Sequence, residues 1–324
     1  MDDDNKYIKI EIHEKTREIE LNEIDLNDIK IEINEKTREI DLNDIKIEIN
    51  EMGSSTASNA NEKNNISPIT EIIIKCLKYT SDSYGVNPNT TLTHKTFEKN
   101  IFSRVDLYYE RIDNDLFIAI RGTVTMYDVI NDINIIQENM ELDKAVAIDK
   151  AVAIDKADET DLKVHKGFHQ DFKDIKPFLR EFIQENLSTG VTNIYFTGHS
   201  RGSSVSTLSA LYIKTIYPYP DLNVYNIGFG CPRLGCENFA NYYNKMLRDT
   251  TYLFREDLDI VTKLPIYGYY DILNQYIIKD KKVISIYEPH DSIVDFIESG
   301  LEHHRLKNYM NCDYILPNLS IFIK

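Results

Sequence analysis

The sequence predicts an α/β protein, with a mostly parallel central sheet and helices on both of its faces. Three observations carry that prediction. From residue 66 onward, short apolar runs alternate with stretches of helical periodicity. The runs are apolar at consecutive positions, as strands buried on both faces are. One serine is set between two glycines where such a run gives way to a helical pattern, NIYFTGHSRGSSVSTLSALY.

The elements follow in order. Residues 69–79 have helical spacing, and 105–111 and 116–121 read as two strands joined by a turn at Asp113, Asn114 and Asp115. Phe168, Phe172, Ile175, Leu179, Phe182 and Ile183 mark one face of a helix. A strand at 194–197 leads into a helix at 203–216, then come a strand at 224–229, a helix at 239–247 and a strand at 252–254. Between 128 and 163 lies an irregular stretch containing DKAVAIDKAVAIDKAD. Tandem repeats of this kind grow in surface loops, where extra length costs little closure entropy.

Ahead of this domain (66–324) stands a repetitive, acidic, β-prone extension, 1–65, in which IKIEI occurs three times and EKTREI twice. Isoleucine alternates with charge there, a period of two that favours strands, and 52–65 (MGSSTASNANEKNN) reads as a polar linker. The extension holds 18 acidic and 9 basic side chains, so more than half of the whole-chain charge of −16 sits in it. Its repeats suit self-association or docking of another protein.

Composition bounds the function. At 324 residues and 42% hydrophobic, the chain can build a full core. The net negative charge argues against nucleic acid and anionic membranes as partners. No run of about 18 apolar residues offers a transmembrane segment. The opening MDDDNK lacks the basic-then-apolar layout of a secretory leader, and four cysteines are too few for a disulfide scaffold, so a cytoplasmic, reduced protein is expected. Cys231 and Cys236 read as small core residues rather than a redox pair, and His303-His304 lacks the second ligand cluster a metal site needs.

Chemistry concentrates at Gly198-His199-Ser200-Arg201-Gly202, which fits G-x-S-x-G. A nucleophile elbow needs a strand before it, a helix after it, and glycines where the tight turn leaves no room for side chains. A serine hydroxyl also needs a base to take its proton and an acid to orient that base. In this arrangement both should follow the serine in the chain. The run TYLF leads into Glu256, Asp257 and Asp259, and the last third contains His290, His303 and His304. The order is satisfied; spacing alone does not choose among them.

Five blocks in register choose further. IAIRGTVTMYDVINDI (118–133), VHKGFHQDF (164–172), TGHSRG (197–202), GFGCPRLGCENFA (228–240) and DIVTKLP (259–265) resemble, in order, the conserved segments of the class 3 lipases, the fungal-type triacylglycerol lipase family. The likeness covers roughly 66–310. It implies an α/β-hydrolase fold and a serine carboxylic-ester hydrolase acting on lipid or other acyl esters, with no metal or cofactor. It assigns Ser200 as nucleophile, Asp259 as acid because it begins D-x-V-x-x-L-P, and His304 as base because HRLKNYM looks like the family's H-x-x-x-x-Y segment. His303 is the runner-up base and His290 the third. Thr123, in R-G-T, and the backbone of Arg201 would form the oxyanion hole, and 126–163 would gate the site. The other matched residues take a structural reading first: His199 as packing rather than reacting, His165 and Gly167 as fixing a loop, and Arg121 and Arg233 as pinning loops or carboxylates rather than binding substrate.

Departures from the family pattern bear on substrate. Arg201 stands where leucine is common, and Ser203 replaces a glycine. Arg201 would place a cation near the oxyanion, favouring anionic lipids or pairing with a lid carboxylate. Rival readings are a phospholipase A1-like enzyme, a short-chain or feruloyl-type esterase, and a non-catalytic hydrolase-fold binding protein.

Overall fold

The structure, a computed structural model, describes residues 7–12, 15–20, 46–48, 67–85, 90–100, 103–122, 136–140, 142–143, 161–279, 282–286 and 303–310. The chain divides into two compact units, Met1–Lys63 and Asn64–Lys324. In the first, β1 (Tyr7–Ile12), β2 (Lys15–Glu20) and β3 (Lys46–Glu48) form an antiparallel sheet in the order β2-β1-β3.

The second unit opens with α1 (Pro68–Asp82), started by Ser67, whose hydroxyl accepts the Thr70 amide, and by proline at the first helical position. The strands of its main sheet are β4 (Thr93–Asn100), β5 (Ser103–Ile112), β6 (Asp115–Ile120), β9 (Asn193–His199), β10 (Asn223–Phe229), β11 (Thr251–Glu256), β12 (Gln275–Lys279) and β13 (Lys282–Ile286). They lie in the order β13-β12-β11-β10-β9-β6-β5-β4. The five central strands, β12 to β6, are mutually parallel; β13 pairs antiparallel with β12, β5 antiparallel with β6, and β4 antiparallel with β5. A small antiparallel pair, β7 (Gln137–Asn139) and β8 (Lys163–His165), lies outside this sheet.

Helices α2 (Lys166–Ser188), α3 (Arg201–Ile216) and α4 (Glu237–Leu247) cover one face, and α1 with α5 (Leu306–Met310) covers the other. The alternation of side chains along the strands divides the core. Leu116, Ile118 and Ile120 of β6, with Ile194 and Phe196 of β9, pack towards α2 and α3. Phe117 and Ala119, with Tyr195, pack towards α1. Across adjacent strands Phe117 stacks on Tyr195 at 4.7 Å and Tyr195 on Tyr225 at 4.9 Å, each at matched register. These tyrosines and phenylalanines supply large buried area in a chain that has no tryptophan.

The elements read from the sequence are present with longer ends: the helix expected at 69–79 runs Pro68–Asp82, and the strand expected at 252–254 runs Thr251–Glu256. The strands β4, β12 and β13 were not anticipated. β4 reads THKTFEKN, whose charged alternation suits the sheet's edge. His165 caps α2, its Nδ1 accepting the amides of Gly167 and Phe168 at 3.2 and 3.3 Å. Among the described residues no helix is long and apolar enough to cross a membrane.

Candidate active site

The site forms at the carboxyl ends of the parallel strands, where chain direction brings loop after loop to one edge of the sheet. β9 ends at His199, and Ser200 follows with φ 58° and ψ −129°, a left-handed backbone that a non-glycine residue adopts at a cost of order 1–3 kcal/mol. α3 starts at once from Arg201. A methyl group on Gly202 would lie 2.1 Å from the Ile120 carbonyl oxygen, and one on Gly198 would lie 2.5 Å from the Gly202 carbonyl carbon. The two glycines thus let β9, β6 and α3 close to backbone contact around the serine.

The partners arrive from far along the chain. Ser200 Oγ lies 2.7 Å from His304 Nε2, and His304 Nδ1 lies 2.8 Å from Asp259 Oδ2. A carboxylate only accepts, so Nδ1 carries the ring proton and Nε2 accepts from the serine hydroxyl. Asp259 sits past the end of β11; its Oδ1 accepts the Val261 amide at 2.9 Å, and its Oδ2 also accepts the Tyr309 hydroxyl. Burial pushes the Asp259 carboxyl up. The facing His304 and the hydrogen bonds from His304 and Tyr309 outweigh that and leave it below the usual 3.8. Ser200, Asp259 and His304 are 2%, 0% and 2% exposed, so the constellation is closed off from bulk water.

Ser200, Asp259 and His304 therefore stand together. Asp257 instead faces Lys279 at 3.5 Å, and His303 turns away to Glu256, with Nδ1 3.1 Å from the carboxylate. Thr123 and His290, and most of 126–163, lie outside the described residues. Arg201 opens α3, so its amide belongs to the first turn, whose N–H groups the helix's own ladder does not consume. Its side chain departs from both expectations. The guanidinium donates to Asp171 of α2, at 2.6 Å from Nε and 2.9 Å from Nη2, and to the Arg104 carbonyl at 2.9 Å. Its carboxylate partner is thus on a core-packed helix rather than on a lid. Arg233 pairs with Asp271 at 2.9 Å and Arg121 with Asp106 at 3.6 Å. Cys76, Cys231 and Cys236 are free thiols.

Sequence reasoning attached no role to Tyr309 or to Tyr84. Tyr309 ends the H-x-x-x-x-Y run and could have been singled out from it. Tyr84, in a turn just past α1, carries no sequence signal; its hydroxyl lies 3.1 Å from His199 Nδ1.

Fold and site together define an α/β-hydrolase whose serine elbow faces a histidine and an aspartate. The family model for lipase (class 3) matches residues 117–268, just under half of the chain and the stretch that holds Ser200 and Asp259. Among curated relatives, a secreted mono- and diacylglycerol lipase of Fusarium solani is 26% identical over 168 residues, 50% of this chain and 44% of its own length. The match thus spans less than half of that relative. Among solved structures, the Rhizomucor miehei lipase in its propeptide complex superposes with a TM-score of 0.50 at 18% identity, covering 70% of this chain and 78% of that one. Lipase II of Rhizopus niveus gives 0.50 at 21% identity, covering 66% and 83%. These two likenesses speak to the fold.

The expected cytoplasmic location is corrected by the curated relative, which is secreted and so points to an extracellular setting. A low cysteine count does not require a reducing compartment, because a core of this size holds without disulfides.

Proposed function

We propose that this protein is a serine carboxylic-ester hydrolase that cleaves lipid acyl esters through an acyl-enzyme. The observation that carries the reading is the hydrogen-bonded line from Ser200 through His304 to Asp259, set on a strained elbow. Ser200 Oγ attacks the acyl carbonyl as His304 Nε2 takes its proton. Asp259, ionised, holds the Nδ1 proton and balances the imidazolium that forms. The tetrahedral oxyanion is received by the amide of Arg201 and, on the resemblance, by Thr123; one such donor is worth about 2.7–4 kcal/mol of barrier. His304 then returns the proton to the departing alcohol, and water, activated in turn by His304, releases the acid.

The name of the Fusarium relative supports partial glycerides as the substrate class. On the resemblance, 126–163 gates the site and its movement admits substrate. For residues 1–65 we read a contact role: β2 and β3 are the outer strands of their described sheet, and concentration-dependent mass by light scattering tests pairing between copies.

The test of the reaction is labelling by a fluorophosphonate probe beside turnover of monoacyl- and diacylglycerols, phospholipids and short p-nitrophenyl esters. The expected outcome is labelling of the wild type, none of Ser200→Ala, and glycerides as the best esters. A wild type that neither labels nor turns over any ester overturns the reading in favour of a binding module; a preference for phospholipids or short esters overturns the glyceride assignment alone.

A further inference from the structure

His199 precedes the nucleophile, and its ring is wedged between two parts of the machinery. Its Nε2 lies 2.7 Å from the main-chain oxygen of His304, the residue that faces Ser200. A carbonyl oxygen only accepts, so Nε2 carries the proton and donates it there. Nδ1 is then an acceptor, and the Tyr84 hydroxyl donates to it across 3.1 Å. The Tyr84 hydroxyl also sits against Gly122, the residue before Thr123 in the R-G-T segment. One hydrogen-bonded chain thus runs from Tyr84, beside the end of β6, through the elbow histidine to the main chain of the base.

Two further observations show that this chain is built to close tolerance. A methyl group on Gly122 would lie 2.2 Å from the Tyr84 hydroxyl and 2.4 Å from the His199 carbonyl oxygen, so the tyrosine can seat only against a glycine. The His199 ring also stacks on the His304 ring, centroids 4.7 Å apart. Burial, reinforced by the neighbouring His304, lowers the His199 pKa to about 3, so its ring remains neutral and its tautomer fixed across the working range. With both nitrogens engaged, His199 has no atom to offer Ser200 as a base.

His304 itself lies in a turn, directly after the helical residue His303. It stands two residues ahead of α5, a helix of five residues. The bonds to Ser200 and Asp259 fix the ring tip, not the backbone from which the ring pivots.

Resting on the serine-hydrolase reading, we propose that His199, oriented by Tyr84, is a positioning residue for the base: it carries the His304 main chain and so sets where the imidazole meets Ser200. Misplacement of a reacting group by about 1 Å costs on the order of 100-fold in rate, which is the leverage such a tether has.

The experiment compares full-length wild type, His199→Phe, His199→Gln and Tyr84→Phe by steady-state hydrolysis of p-nitrophenyl butyrate and by melting temperature. His199→Phe keeps an aromatic ring but removes the donor. It is expected to lower kcat by about 10- to 100-fold with KM changed by no more than about twofold. His199→Gln, which retains an N–H at a similar reach, is expected to recover most of kcat. Tyr84→Phe should fall between the two. An active wild type with His199→Phe retaining kcat within about threefold overturns the proposal, as does His199→Gln losing as much as His199→Phe, since ring packing would then explain the loss. If His199→Phe does not fold, Tyr84→Phe decides: kcat lowered at constant KM supports the tether, and unchanged kcat overturns it. An inert wild type overturns the hydrolase reading and this proposal together, and is distinguished by failure of the fluorophosphonate label.

Discussion

The elbow at 198–202 and the segment at 303–310 meet at one 2.7 Å hydrogen bond, yet they are held in place by different means. The elbow is positioned by backbone. It is the joint between a central strand and a buried helix, closed by glycines that admit no side chain, with the Ser200 amide bonded to the Phe229 carbonyl at 3.0 Å. The 303–310 segment is positioned by side chains. The His304 ring holds Asp259, His303 holds Glu256, and the Tyr309 hydroxyl both donates to Asp259 and accepts the Glu256 amide at 3.1 Å. The nucleophile is therefore as rigid as the sheet, whereas the base is as well placed as its hydrogen bonds allow. Substitutions should divide accordingly: those at the elbow act through folding, and those around 303–310 act on rate with folding largely preserved.

The largest effect on rate is expected at the acid. Asp259→Asn leaves the shape but stops fixing the Nδ1 proton of His304, so kcat should fall by about 10³- to 10⁴-fold, read by active-site-titrated ester hydrolysis. A loss of under about tenfold would mean that another carboxylate orients the base. At the elbow, Gly202→Ala drives a methyl group into the Ile120 carbonyl. Overpacking of this kind costs about 1–3 kcal/mol, and urea unfolding should show it together with lost activity. Unchanged stability would show that the strand–helix approach is looser than its geometry.

Smaller is Tyr309→Phe, which removes one donor from Asp259 and the acceptor of the Glu256 amide; it should cost about tenfold in kcat and lower the melting temperature at neutral pH by a few degrees, about 1–3 kcal/mol. It also carries a pH signature. The Asp259 carboxyl, depressed below 3.8, contributes stability above that pH and loses it as pH falls through its folded value. Losing the tyrosine donor raises that folded value, so the acid-unfolding midpoint of Tyr309→Phe should move upward. A midpoint that stays put or moves down would break the link between the tyrosine and the carboxylate.

Smallest is His303→Gln. Its ring faces Glu256 rather than Ser200, so kcat should change by less than about threefold. A collapse of activity there would reverse the assignment of base and neighbour.

The legible part of this molecule was what local pattern encodes. Consecutive apolar residues at 194–196, followed by Val205, Leu208 and Leu211 at helical spacing, were enough to place a strand and a helix around Ser200, because strand and helix periods are properties of neighbouring residues. β4 escaped because an edge strand carries charge instead of an apolar run, and β12 and β13 because short apolar pairs at 277–278 and 283–284 do not separate strand from loop. Asp259 and His304 could be ordered after the serine but not selected by spacing; the D-x-V-x-x-L-P block selected Asp259 and the H-x-x-x-x-Y segment selected His304. The partner of Arg201 was not legible, since nothing in residues 198–202 specifies which helix carboxylate comes alongside.

By itself, then, the sequence determined an α/β domain with a serine at a strand–helix joint, since both follow from short-range periodicity and from glycines that only a tight turn requires. Tertiary structure alone decided that His303 turns to Glu256, that Tyr309 braces Asp259, and that Tyr84 and His199 reach the main chain of His304 from 115 residues (Tyr84 to His199) and 105 residues (His199 to His304) away. The physical reason is range: backbone preference acts over a few residues, while a hydrogen bond joins whatever the packed sheet brings within about 3 Å, regardless of separation along the chain.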